Sequence, residues 1–173
     1  MAVLISRKVD TDDDGSGTVG TIRNNAWLQD LQDRIDAALA AIAEGAAFTP
    51  ALKFGGGNTG MAGTFVGYSR KVGKLVYVTL RITLTAKGSS TGAATITGLP
   101  FAATGTYYTG LTSNFFANLA TNVASIETYI GPGTQTLTLT YVPAAGGAGT
   151  TNMTEGTFGN TTDIILSGCY TTD

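Results

Sequence analysis

The apolar residues of this chain change their period once, at Phe48, and that switch constrains the fold more than any other feature. Over Asn25–Glu44 (NAWLQDLQDRIDAALAAIAE) they recur at three and four positions, as on one face of a helix. From Phe48 onward they recur at two, as on one face of a strand. Leu75–Thr85 shows this best: Val76, Val78, Leu80, Ile82 and Leu84 alternate with Tyr77, Thr79, Arg81, Thr83 and Thr85. Thr64–Arg70 is expected to pair with that strand through a turn around Val72-Gly73-Lys74. Ala94–Thr97, Ser113–Leu119, Ser125–Ile130 and Thr136–Val142 read as further strands, with turns at Gly98-Leu99-Pro100 and Gly131-Pro132-Gly133. A Gly/Ala/Thr loop covers Pro143–Gly156, and a last pair of strands lies near Thr157–Asn160 and Ile164–Tyr170. About eight short strands with regular turn signals predict a mainly β fold, an antiparallel β-sandwich or jelly-roll knob over residues 46–173. With 24 Gly, 13% charged and 43% apolar residues, the composition suits a core with many turns.

The helical stretch has its own logic. Leu28, Leu31, Ile35, Ala38 and Ile42 form an a/d seam, with Trp27 and Leu39 flanking it. Asp30 and Arg34 are spaced i,i+4 on the exposed side, Asn24 or Asn25 can cap the start, and Gly45 can end it. A helix this short is marginal alone in water, so its stripe must pack on its own β-domain or on copies of itself. No second amphipathic helix is available, which favours self-association, and the mixed Leu, Ile and Ala seam suits a trimer. The expected organisation is therefore residues 1–24 as an attachment segment, 25–45 as a trimerising helix of a short coiled coil, and 46–173 as the knob.

Charge is unevenly spread. Residues 1–45 hold eight acids against four bases, and residues 46–87 hold six bases (Lys53, Arg70, Lys71, Lys74, Arg81, Lys87) and no acid. From Gly88 onward there is no Lys or Arg, and the acids are Glu127, Glu155, Asp163 and Asp173. A net charge of −2 argues against a nucleic-acid binder. The single cysteine, Cys169, excludes an intrachain disulfide. No signal-like start or long apolar run is present, so neither export nor a membrane is expected.

The motifs that could carry chemistry are weak. Gly55-Gly56-Gly57-Asn58-Thr59-Gly60 matches a dinucleotide fingerprint but no helix pattern follows it. Gly15-Ser16-Gly17-Thr18-Val19-Gly20 precedes the helix, but Asp12, Asp13 and Asp14 would repel a pyrophosphate. Both read as turns, and no cofactor is expected. Asp10, Asp12 and Asp14 with Gly15 reproduce the first half of a calcium loop, whereas position twelve is Thr21 and flanking helices are missing; a solvated acidic loop is the expectation. There is no His, and Cys169, in an alternating strand with no evident base, reads as a buried structural thiol. Glu127, Glu155 and Asp163 could form a glycosidase pair only if strands or subunits brought them together. Tyr107 and Tyr108, and the basic cluster Arg70, Lys71 and Lys74, are the candidate receptor contacts; aromatic faces stack on sugar rings and the cations suit acidic glycans. Phe115-Phe116, Tyr129 and Tyr141 could serve the same way, or face the core.

Phe48-Thr49-Pro50-x-Leu52-x-Phe54-Gly55-Gly56, Gly67-Tyr68-Ser69-x-x-x-Gly73-x-Leu75-Val76, Lys87-Gly88-Ser89-Ser90-Thr91-Gly92 and Ile96-x-Gly98-Leu99-Pro100-Phe101 together resemble the distal domains of tailed-bacteriophage fibre and adhesin-like virion proteins. Asp12-x-x-Gly15-x-Gly17-x-x-Gly20-Thr21-Ile22 with Asn24 is similar to the attachment segments of small phage structural proteins. The likeness covers much of residues 10–101. It implies a homotrimer located in the virion, assembled in the host cytoplasm and docked through residues 1–24 on a capsid or tail protein. It also implies a β-knob presented for host attachment, with a surface glycan as partner and no catalytic residue. The helix, roughly 30 Å for twenty residues, is short for a host-reaching fibre. A head fibre or capsid decoration protein is therefore the alternative, and a glycan-degrading tail enzyme a third.

Overall fold

The computed structural model describes residues 26–43, 45–144 and 149–173. The attachment segment, Asp10, Asp12, Asp14 and the two capping asparagines lie outside the described residues, as do the side chains of Trp27, Leu28 and Ile42. The chain divides into two compact units, Met1–Ala41 and Ile42–Asp173.

Helix α1 spans Ala26–Ala43. Its i,i+4 pair is present, Arg34 Nη1 lying 3.9 Å from Asp30 Oδ2, but both side chains are over 70% exposed and the pair adds little. Of the seam, Leu31 is 46% and Ile35 47% exposed, Ala38 is exposed too, and the flanking Leu39 is 57% exposed.

The β-unit contains ten strands among the described residues: β1 (Ala46–Phe48), β2 (Ala51–Phe54), β3 (Ala62–Val72), β4 (Leu75–Ala86), β5 (Ala94–Thr97), β6 (Thr112–Leu119), β7 (Val123–Ile130), β8 (Leu137–Pro143), β9 (Thr151–Asn152) and β10 (Phe158–Thr171). They form two antiparallel sheets. The first has the order β1-β3-β4-β10-β6, and the second the order β2-β5-β8-β7 with β9 beside β8. Strand alternation drives one face of each sheet into a shared core. Val76, Val78, Leu80, Ile82 and Leu84 of β4 meet Ile164, Leu166 and Tyr170 of β10 on the first sheet. Leu52, Phe54, Ile96, Ile126, Ile130, Leu137 and Leu139 come from the second. The Phe54 and Phe158 rings, 5.1 Å apart between centroids, join the two sheets directly. Fully burying each such side chain contributes about 1.5–3 kcal/mol.

The β3–β4 hairpin forms as expected. Val72 pairs with Leu75 around a two-residue loop. Gly73 has φ +58° and Lys74 is not in the left-handed region, the pattern of a type II′ turn with Gly first. On β3, Gly67 faces inward opposite Leu80, and the Phe48 ring fills the space a side chain would take. We expect Gly67→Val to expel Phe48 and detach β1, lowering Tm in thermal unfolding by several degrees, the scale of a 1–3 kcal/mol overpacking cost.

Three expectations need correction. Thr157–Asn160 and Ile164–Tyr170 are not a pair but parts of one strand, β10; Gly159 to Thr162 sit in a bulge, where the register jumps from Phe158↔Leu119 to Asp163↔Ala117. The bulge is held by the Thr162 hydroxyl, which donates to the Asn118 carbonyl (2.9 Å) and accepts from the Gly159 amide (2.8 Å). The Pro143–Gly156 loop contains β9 and the start of a 3-10 turn at Glu155–Thr157. β1 and β2 are further short strands, and β2 alternates, sending Leu52 and Phe54 into the core. Two antiparallel sheets over one core fit the sandwich expected, with β3–β4 and β7–β8 as hairpins that each stay in one sheet. Cys169 is exposed rather than buried: β10 turns Ile164, Leu166 and Tyr170 inward, and Cys169 is out of phase with them.

Candidate functional site

The predicted contact residues converge in part. Lys71 points inward from β3, and its ammonium lies 4.7 Å from the centroid of the Phe101 ring. The loop that follows Phe101 is tied to the end of β10: the Thr104 amide donates to the Thr171 carbonyl (2.8 Å), and Tyr107 OH and Thr171 Oγ1 are 3.1 Å apart. The Asp173 carboxylate accepts from the Thr104 hydroxyl (2.7 Å) and the Gly105 amide (3.1 Å), and Lys74 acts on it electrostatically. Lys71, Lys74 and Tyr107 therefore share one end of the β-unit, the end near which Ala46 enters opposite Ser69. Arg70 faces the other way, outward beside Tyr77. Tyr108 also leaves the group. It is 68% exposed and packs edge-on against Tyr129 of β7, with centroids 5.8 Å apart.

The two outer faces differ in chemistry. That of the first sheet exposes Val66, Tyr68, Val72, Leu75, Tyr77 and Phe115, each between 41% and 51% accessible, around the Arg81–Asp163 pair. That of the second sheet carries Thr95, Thr97, Thr138 and Thr140 between Lys53 on one side and Glu127 and Tyr129 on the other. Tyr68 also receives the Gly45 amide on its hydroxyl (3.1 Å) where the chain enters β1.

A groove of about 350 Å³ opens between β6 and β7, lined by Thr112, Ser113, Phe116, Ser125, Ile126 and Glu127. At one end the Thr128 hydroxyl pins the strands, accepting from the Leu111 amide (2.8 Å) and donating to its carbonyl (2.6 Å). The Ser125 hydroxyl donates to Glu127 Oε1 at 3.0 Å.

The other carboxylates serve structure. Asp163 takes two hydrogen bonds from Arg81 (3.0 and 2.6 Å) and one from the Thr83 hydroxyl (3.0 Å). Glu155 accepts from the Gly92 amide at 2.7 Å. The amide can come so close because Gly92, at φ +116°, lies against the Gly55 backbone where a Cβ would collide. The Arg81 hydrogen bonds hold the Asp163 carboxyl below its usual range; the Gly92 amide does so for Glu155, and the Thr104 hydroxyl for Asp173. A depressed carboxylate adds stability that is complete above its unfolded value, about 3.9 for Asp and 4.3 for Glu, and is lost as pH falls through the folded value. We expect Tm to hold above about pH 5 and to drop on acidification, with Asp163→Asn flattening that drop.

Among the described residues no three His, Cys, Asp or Glu side chains gather to hold a metal, and no helix is long and apolar enough to cross a membrane.

No family model matches the sequence, and no curated protein does. The Dettilon tailspike protein matches in structure, with a TM-score of 0.58 at 15% identity, over 74% of this chain and 23% of that one. This chain has the fold of part of a tailspike. It spans about a quarter of the length of that protein.

Sequence reasoning singled out Tyr108 but neither its contact with Tyr129 nor the groove. The available signal was Ser125-x-Glu127-x-Tyr129, three outward positions of one strand. The opposite wall comes from β6 and has no local signature.

Proposed function

We propose that this chain is a subunit of a bacteriophage virion appendage: a non-enzymatic homotrimer, docked through residues 1–24 and joined by its helices. Its β-sandwich knob is offered to the host surface, with a glycan as the partner. The observation that carries this reading is the tailspike fold of the β-unit. The sequence resemblance to phage fibre proteins points the same way. The oligomer draws support from two unpartnered apolar features, the Leu31–Ile35 seam and the outer face of the first sheet. Monomeric proteins rarely leave such contiguous patches open. In this reading the apolar outer face of the first sheet turns toward the sister subunits.

Antibodies against the recombinant chain should label the tail of intact virions in electron micrographs, and the isolated chain should adhere to host cells. Label on the head without cell adhesion would make it a decoration or head-fibre protein, a reading that the short helix, 18 residues and about 27 Å long, also suits. Absence from purified virions would end the proposal.

Cys169 provides a chemical probe of the interface, because it lies opposite Tyr77 on the apolar face. In the trimer its thiol should react with a maleimide markedly more slowly than in a monomeric variant. Equal rates would mean that this face stays open.

A further inference from the structure

The outer face of the first sheet carries a hole and a knob at two places on one surface. The hole is an apolar depression of about 210 Å³, walled by Val66 and Tyr68 of β3, Thr79 and Arg81 of β4 and Ile165 of β10. Tyr68 is fixed there because its hydroxyl accepts the Gly45 amide at 3.1 Å. Arg81 is fixed by two hydrogen bonds to Asp163, 3.0 and 2.6 Å, which also neutralise its charge. Such walls suit an aromatic side chain, since guanidinium planes stack on aromatic rings and the Tyr68 ring can pack against another. Roughly 150 Å³ is enough to admit a benzene ring.

The knob is Phe115, the one exposed phenylalanine among the described residues. It stands on the edge strand β6, in one cross-strand row with Ile165, Arg81 and Val66. A bulge presents it. β6 pairs Phe115 with Ile165 and then Ser113 with Leu166, so Asn114 is the extra residue, and its Oδ1 accepts the Ser167 hydroxyl at 2.8 Å. Bulges of this kind re-aim a neighbouring side chain. Phe115 does not line the hole of its own chain. Three strand spacings, about 14 Å, separate it from Val66.

We propose that Phe115 of one copy seats in the hole of the next, so that three copies close a ring through their first sheets. The assignment rests on the homotrimer reading and gives the apolar face its specific contact. Knob and hole lie apart on one surface, so a head-to-tail contact repeats the same pair at every interface and can close on itself. Charge supports a copy of this chain as the occupant. The Arg81 charge is met within its own subunit, so the partner need bring none, and Phe115 brings none. Covering a pair already satisfied avoids the heavy cost of an unpaired buried charge. An exposed tyrosine fits less well, because its hydroxyl would enter a mainly apolar depression without a partner. Seating Phe115 also shields the free edge of β6, which edge strands otherwise need charges or prolines to protect.

The test uses the full chain carrying Cys169→Ser, which removes its single native thiol. Phe115→Cys and Val66→Cys, both at exposed positions, are added together; the protein is oxidised or bridged with a short bismaleimide and run on a denaturing gel. Positions about 14 Å apart in one chain lie beyond the 7 Å or so that a disulfide spans, so a disulfide between them must join two copies. Covalent trimers from the double variant, with single chains from either thiol alone, are the expected result. Phe115→Ala should raise the chain concentration at which the assembly dissociates about tenfold or more, the effect of losing one buried aromatic anchor. Products that stop at dimers would mean a two-fold contact and overturn the ring. Multimers from Phe115→Cys alone would overturn it as well, since like positions would then meet. A three-chain assembly that gives no cross-link and ignores Phe115→Ala would overturn this contact and leave the trimer to its helices. A wild-type chain that stays single would remove the reading beneath it.

Discussion

Replacing Leu31 and Ile35 together with Asp should convert an assembly of about 53 kDa, three times the 17.7 kDa chain, into single chains. Both side chains stand nearly half exposed in the isolated subunit, so the substitution removes little from the chain's own packing. In a three-stranded seam the same positions face one another. Each apolar side chain there contributes about 1.5–3 kcal/mol of burial. The substituted carboxylates would meet like charges in a low-dielectric contact, which costs several kcal/mol per unpaired ion. Six of them at one axis exceed any gain the short helix can offer. Circular dichroism should register a second effect, loss of helical signal, because an unpartnered helix of 18 residues is marginal in water. Light scattering or mass photometry reads the size. An unchanged assembly would mean that the outer face of the first sheet holds the subunits by itself, and a wild-type chain that stays monomeric at micromolar concentration would end the trimer reading.

Phe158→Ala should be the most damaging single change in the β-unit. The ring is fully buried, touches Phe54 across the core, and belongs to the strand that unites β4 and β6. Losing an aromatic side chain from such a position costs about 3–5 kcal/mol, transfer and cavity together. Against a usual total of about 5–15 kcal/mol, that places the variant near the folding threshold. Chemical denaturation should show the midpoint falling sharply with the m-value preserved. A loss below about 1 kcal/mol would mean that the sheets close over the gap far more completely than large-to-small substitutions usually allow.

The order of elements could be read from residues because alternation is a local signal. Val76 to Leu84 announces β4, Ala94–Thr97 is β5 as expected, and Gly73 places the hairpin. Where alternation is interrupted, reading fails. The polar run Gly159–Asp163 looks like a turn, yet it is a bulge inside β10, because the hydrogen bonds that stabilise it come from Asn118, some forty positions away. Cys169 could have been placed outward from its phase relative to Leu166 and Tyr170. The outward apolar positions were harder. Tyr77 and Leu75 were legible as the second face of β4, but Val66 and Phe115 join them only once β3 and β10 are set in register. The groove was less legible still, since its walls are brought together by the second sheet closing beside the first.

Since β10 lies between β4 and β6, the order of synthesis acquires a physical meaning. Asp163 pairs with Thr83, eighty positions upstream, so the first sheet has a gap at its centre until a ribosome has released residues beyond Phe158. Contacts that distant form slowly. A nascent chain halted earlier exposes two unpaired sheet edges and the core side of β4, surfaces on which chaperones and proteases act. Only chains translated through β10 should survive as folded subunits.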